Sequence, residues 1–206
     1  TNLRRKAVAR SLVMAVTNMT DAHNDCGRPE QVSAAALYLG VTDRQPGVTT
    51  TGGCGASDGW NVVGFGRLPR GITGLTCVWT IGGRIVEADV MLNTRFSWAT
   101  SLAACDGEVM VEAVATHEFG HVKFHGPLWA QKFANGDLFE RGLNANKAIS
   151  RRDNILDAPQ SDWMEWQAGY VCGALLMPAT HFRAQLTDVR RELGLTGPLL
   201  KGTAET

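Results

Sequence analysis

The stretch His117-Glu118-Phe-Gly-His121 constrains this chain more than any other. Histidine is scarce, five in the chain, yet His117, His121 and His125 fall close together. On a helix, residues four apart stand one turn apart on one face, so His117 and His121 present two imidazoles to one point. Two imidazoles so placed can hold one zinc ion. Glu118 beside them can take a proton from a water that the ion has acidified. The fold must therefore supply a helix here and bring up at least one more ligand from elsewhere.

The limits of that helix are readable. Asp106 is placed to cap its first turn, since a carboxylate can accept bonds from the free amides there. Val109, Ala113, Val114 and His117 follow at helical spacing. Gly120 lets another backbone or the metal approach closely. Pro127 is expected to end the helix, because it has no amide hydrogen and clashes with a continuing turn.

A chain of 206 residues with 44% hydrophobic content can bury a sizeable core as one large domain. Its formal net charge is zero, and its basic clusters (Arg4-Arg5-Lys6, Arg151-Arg152, Arg190-Arg191) are short and scattered. No nucleic-acid surface is expected from that pattern. No run approaches the ~20 apolar residues of a membrane span, so no membrane partner is expected either. Arg4-Arg5-Lys6 followed by Ala7–Val16 faintly resembles a signal peptide, but Arg10 breaks the run and a surface helix reads better.

Four of the five cysteines (Cys26, Cys54, Cys77 and Cys105) precede the motif. They suit two disulfides, of unassigned pairing, and a secreted or extracellular location, with a cytoplasmic one as the alternative. Cys172 reads as a small core residue.

Taken in order, residues 3–22 form an amphipathic helix with Leu3, Val8, Leu12, Val16 and Met19 along one side. Asn18-Met-Thr20 is a weak glycosylation match inside it. Ala35–Thr42 is read as a first strand. Gly47–Gly59 is a Thr- and Gly-rich loop. Trp60–Gly66, Thr76–Gly82 and Arg84–Leu92 are further strands, the last alternating Ile85, Val90 and Leu92 with Glu87 and Asp89. Gly64-Phe-Gly66 is turn chemistry, since Pro69 and no helix follow. Leu128–Arg141 is a helix or an ordered loop, and Asn144–Asp157 a long exposed connection. Asp162–Met177 is a strong helix, with Asp162 as cap, Glu165 completing a capping-box-like pair and Pro178 as the stop. A last helix spans about Thr180–Leu193 and ends at Gly194.

Two histidines do not complete a zinc site, and a catalytic one takes a third protein ligand beside an open position. The metzincin spacing would put Gly and His where Phe124 and Pro127 stand, so it fails. Glu165 is favoured, because a ligand from a separate element can close the tetrahedron, and small residues along its stripe (Ala168, Gly169, Cys172) would let it reach the metal. His125 is the alternative, although three imidazoles from one helix crowd one side of an ion. Glu165 could also serve only as a cap.

Two resemblances follow. Asp58-Gly-Trp-Asn-Val-Val-Gly-Phe-Gly66, Ile85-Val-Glu-Ala-Asp-Val-Met-Leu-Asn93 and Val114-Ala-Thr-His-Glu-Phe-Gly-His121 resemble secreted bacterial matrixin-type proteases, over residues 1–121. His117-Glu-Phe-Gly-His-Val-Lys-Phe-His125, Glu165-Trp-Gln-Ala and Ala174-Leu-Leu-Met-Pro178 resemble the ImmA/IrrE metallopeptidase family, over residues 117–178. The second resemblance implies His117, His121 and Glu165 as ligands of Zn2+ and Glu118 as base. Both imply a zinc metalloendopeptidase acting on a protein or peptide.

The expected fold is α+β and zincin-like. A small twisted mixed sheet packs on the motif helix, and C-terminal helices close the cleft. Residues 1–126 form a sheet-plus-helix subdomain and 127–206 a helical one, together one catalytic domain, expected to be monomeric. His181 and Tyr170 are candidate oxyanion donors. The competing reading is a non-catalytic, zinc-stabilised interaction or regulatory module. There His117, His121, His125 and Glu165 would close the coordination sphere and leave no room for water.

Overall fold

The computed structural model describes residues 3–20, 35–101, 107–134, 144–152, 162–177 and 179–195. Helix α1 (Arg5–Thr20) comes first, then strands β1 (Val63–Gly66), β2 (Ile72–Ile81), β3 (Arg84–Asn93), β4 (Trp98–Ala99) and β5 (Val109–Met110). Helix α2 (Val111–Gly120) runs through a wide π turn (His121–His125) into α3 (Gly126–Ala134). Strand β6 (Asn144–Arg151) and helices α4 (Trp163–Leu176) and α5 (Ala179–Glu192) complete the order. The architecture is α+β, with helices around a small mixed sheet.

That sheet has the order β1-β3-β2-β6, and β4 pairs with β5 in a separate two-stranded ladder. β1 runs parallel to β3, while β2 is antiparallel to both β3 and β6. The β2–β3 hairpin turns on Gly82 and Gly83, with φ of 55° and 77°. A two-residue hairpin turn with positive φ at both positions matches strand twist, and glycine adopts it without a Cβ penalty. β2 lies in the middle and is buried along its length up to Ile81.

Its two faces differ. Leu75, Cys77 and Trp79 look to one side and join Val48, Leu68, Ile72 and Met91 in a core cluster. Gly74 and Thr76 look to the other, towards α2. Val90 and Leu92 of β3 share that helix side with Trp98, Val111 and Val114. α1 packs on α2 through Ser11, Ala15 and Met19, spaced one turn apart. The expected apolar side thus turns slightly, with Leu3 and Leu12 at the rim of the cluster. Asn18 donates to Glu112 Oε1 (3.1 Å) and Thr116 Oγ1 (3.3 Å), so its side chain is engaged with α2.

Several sequence expectations need correction. Ala35–Thr42 forms no strand: Leu37, Tyr38, Leu39 and Val41 are all exposed, so neither alternate set finds a face to cover. Apolar letters alone do not make a strand without a ladder partner. Asn144–Arg151 is not an exposed connection but edge strand β6, with Ala148 and Ser150 buried on alternate positions. It comes from the stretch expected to be helical, and it closes the sheet of the first stretch. Pro127 does not end the motif helix. The Gly126 amide reaches back to the His121 carbonyl across the π turn, and Pro127 sits in the first turn of α3, where its missing N–H is tolerated. Finally, Glu87 and Asp89 alternate as expected but are buried, whereas Ile85 is exposed.

Gly194 has φ 69°, and the Gly194 and Leu195 amides return to the Arg191 and Arg190 carbonyls, closing α5 as predicted. Cys54 and Cys77 form a disulfide, and Cys172 is a buried free thiol. Burial pushes the Cys172 thiol up to about 12, which leaves it inert at neutral pH. Cys26, Cys105, Asp106 and Pro178 lie outside the described residues. Among those described, no helix is long and apolar enough to cross a membrane.

Candidate metal centre

α2 begins at Val111, with Met110 as its cap position and no side-chain cap bond. His117, Glu118 and His121 are fully buried along it. The helix has two neighbours, and each fixes part of the site.

The first neighbour is α4. A Cβ on Gly120 would come to 3.6–3.8 Å from Ala168, so the two backbones approach closely where Gly120 was expected to permit it. That approach carries Glu165 to the histidines. Glu165 Oε1 lies 2.9 Å from His121 Nε2, and Oε2 lies 3.3 Å from His117 Nε2. The two Nε2 atoms are 3.1 Å apart. Asp162 caps α4 by accepting from the Glu165 amide (3.4 Å). The Glu165 carboxylate itself turns inward to the imidazoles, so capping does not account for it. Burial alone would raise its pKa, but hydrogen bonds from His117 and His121 outweigh that and hold it down at about 2.

These spacings bear on what the group can hold. Donors about 2.0–2.1 Å from a tetrahedral ion stand roughly 3.3 Å from one another. The separations here lie near that value, each carboxylate oxygen facing one imidazole, and the group is buried and convergent. Without a proton or a cation between them, acceptor lone pairs would face acceptor lone pairs in a dry place, which is costly. The His117, His121 and Glu165 group could therefore hold a metal ion.

The second neighbour is the sheet. Thr76 Oγ1 donates to Glu118 Oε2 at 2.6 Å. Glu118 Oε1 has no hydrogen bond of ordinary geometry. Gly74 faces it, and a Cβ there would overlap this carboxylate. Burial raises the pKa of Glu118, opposed by His121 and His117 and by the Thr76 and Ser150 hydroxyls. Ser150 also brings its Oγ to 3.5 Å from His121 Nε2.

His125 does not join the donor group. Its Nδ1 lies 2.9 Å from His121 Nδ1, on the far side of that ring from Glu165, and its Nε2 lies 3.1 Å from Gln167 Oε1. Burial holds its pKa below the ordinary imidazole value. Phe124 is largely exposed, and Tyr170 stands on the solvent side of α4, stacked on Trp166. Neither contributes to the group. The His181 side chain lies outside the described residues.

Sequence reasoning missed Gly74, Thr76, Ser150 and Gln167. Gly74 carried a signal, because a glycine inside a strand often marks a close approach. Ser150 could not be found while its strand was read as a connection. No protein-family model matches the chain, and neither a curated protein nor a solved structure matches it.

Proposed function

We propose that the protein is a zinc-dependent endopeptidase, with His117, His121 and Glu165 as zinc ligands and Glu118 as general base. The observation that carries this reading is the pairing of a convergent donor group with an adjacent carboxylate of which one oxygen is held and the other is unpartnered. Two imidazoles and a carboxylate suit zinc among the biological metals. When bound, zinc supplies Lewis acidity to a scissile carbonyl and to a water molecule.

The chain's own residues supply the rest. Thr76 holds Glu118 Oε2, which leaves Oε1 as the oxygen that exchanges protons. Oε1 takes the proton of the attacking water and passes it to the leaving amine nitrogen. The raised pKa of Glu118 in its buried setting makes it a stronger base than an exposed carboxylate. Gly74 keeps open the space that Oε1 occupies. On this reading the fold is zincin-like, α4 closes one wall of the cleft, and the substrate is a protein or peptide. The Cys54–Cys77 disulfide supports a secreted or extracellular location.

One observation favours a second reading, a non-catalytic zinc-stabilised interaction or regulatory module: His117, Glu118 and His121 are fully buried and Glu165 is 3% exposed. Glu118→Gln separates the two. In a peptidase it keeps the metal and lowers hydrolysis of a casein-type substrate by about 10²–10⁴-fold, the usual weight of a general base. Hydrolysis unchanged by the substitution, or absent from the zinc-loaded protein, would leave the module reading in its place.

A further inference from the structure

Helix α4 is apolar on two sides, and only one of them is covered. Glu165, Ala168 and Cys172 are buried towards α2. The outer side carries Trp163, Trp166, Tyr170 and Met177, at spacings that keep them on one face. Trp163, Tyr170 and Met177 are 57%, 66% and 58% exposed. The three rings stack on one another, with centroids 4.9 Å and 5.5 Å apart and planes within 16° and 19° of parallel. Between Trp163 and Met177 the only charged residue is Glu165, and it points inward. A helix that is apolar all round belongs in an interior, not at a surface.

Helix α5 has the complementary defect. Phe182, Leu186, Val189 and Leu193 recur at steps of four, three and four, which makes one apolar stripe. Yet α5 lies along no other described element, and from Phe182 to Glu192 every side chain except Leu186 and Arg190 is exposed. A free helix of this length is marginal in water and draws its stability from packing such a stripe. Arg183 and Arg190 stand along one edge of the stripe, and Asp188 and Glu192 beyond the other. Helices that lie on a membrane surface carry a basic polar face, which this mixed one is not. The pattern fits a protein surface.

One chain thus holds a stripe without a groove and an apolar face without a cover, on consecutive helices that do not pack along each other. The two match in length: the stripe runs about 16 Å along its helix and the aromatic face about 20 Å, at roughly 1.5 Å per residue. They match in chemistry, since aromatic and Met side chains populate the cores of interfaces and charged ones are depleted there. Trp163, Tyr170, Met177, Phe182, Val189 and Leu193 each expose about half to two-thirds of their surface. Together they offer on the order of 700 Å2 per chain, near the about 800 Å2 that each partner gives to a stable interface. We propose that the protein is a two-fold dimer in which α5 of each copy lays its stripe on the outer face of α4 in the other. The exchange is reciprocal and closes on itself, so it leaves no stripe or face for a third chain. It replaces the single chain expected from the sequence. None of these side chains belongs to the His117, His121 and Glu165 group, so the dimer stands independently of the metal reading.

Sedimentation equilibrium of the full chain tests the exchange. Wild type should have a two-chain mass at micromolar concentrations. Tyr170→Glu on the face and Leu186→Glu on the stripe should each weaken the dimer by about 100-fold or more, because each homodimer then buries the new charge at both pairings. Circular dichroism should show both variants folded, since Tyr170 is exposed and Leu186 only half-buried in the single chain. Trp163→Glu and Val189→Glu stand in, with the same outcomes expected, where either variant loses its fold. Mixing the two variants is the decisive step. The mixed pair keeps one wild-type stripe on one wild-type face, and it should associate at least ~10-fold more tightly than either variant alone. A dimer broken by Leu186→Glu and left intact by Tyr170→Glu would mean that α5 pairs with itself. A single wild-type chain that binds phosphatidylserine vesicles would give the aromatic face to a membrane. Either result, a wild type that stays single in solution, or a mixture no tighter than its components would overturn the exchange.

Discussion

The two faces of strand β2 both bury carboxylates, and they do so in opposite ways. On one face, loop 46–62 covers Glu87 and Asp89 of β3. Glu87 Oε2 accepts from Ser57 Oγ (2.5 Å) and the Gly59 amide (2.6 Å), and Asp89 accepts from the Gly47 (2.5 Å) and Val62 (2.7 Å) amides. These acids have donors supplied by the chain, with only Glu87 Oε1 left without one, and they tie an irregular loop to the sheet in place of regular ladder bonds. On the other face, Glu118 accepts from Thr76 Oγ1 through one oxygen, and Glu165 lies against two imidazoles, His117 and His121. Buried charge alone therefore does not mark a functional site. Convergence of two imidazoles and a carboxylate in one buried group marks the helix face as the one that could hold a metal ion.

Four variants break this comparison, in order of size. Glu165→Ala should have the largest effect, lowering zinc affinity by more than about 100-fold, because it removes an anionic donor and not merely a supporting bond. His125→Ala should cost less, within the 10–100-fold range of a supporting residue. Chelator competition places both on one scale, and a reversed order would make His125 the ligand.

Opening the Cys54–Cys77 disulfide acts on the loop face. The bridge joins residues 23 apart in sequence. The double substitution to Ala should lower stability by about 3 kcal/mol, or roughly 10 °C in melting temperature, while zinc affinity stays within about threefold of wild type. A parallel loss of zinc would show that the two faces are not independent.

The smallest effect concerns Asp89. Burial raises its pKa to about 6, against the lowering effect of the Gly47 and Val62 amides, and Glu87 and Asp58 add to the rise. A carboxyl whose folded pKa is raised contributes stability that is full below its unfolded value and is lost as pH rises through about 6. The melting temperature of the zinc-free protein should therefore fall by a few degrees between pH 4 and 7, on the order of 1–2 kcal/mol. Asp89→Asn should reduce that slope, and Glu118, whose pKa burial also raises, contributes in the same sense. Glu165 acts in the opposite sense, but its contribution is lost only as pH falls from 4.5 through about 2. A wild-type slope that survives in Asp89→Asn would move its source elsewhere.

The helix face was the more readable of the two in the sequence. The spacing of His117 and His121, the glycine at 120 and the capped helix bearing Glu165 are local patterns, and helices print their faces at short range. The loop face depends on pairings between distant segments. Nothing near Glu87 announces that Ser57 and Gly59 will satisfy it, and a polar strand such as Asn144–Arg151 is recognisable only when β2 stands beside it. The continuation of the helix through Pro127 was hidden for a related reason. A π turn shifts the hydrogen-bond register by one residue, and no local pattern in the sequence announces that shift.

X-ray absorption at the zinc edge of the zinc-loaded protein tests the central claim most directly. The account predicts one zinc per chain, with two imidazole nitrogens at about 2.0–2.1 Å and carboxylate oxygen at about 2.0–2.2 Å completing the protein's share. A third imidazole, sulfur at about 2.3 Å, or no bound zinc would contradict the assignment of His117, His121 and Glu165.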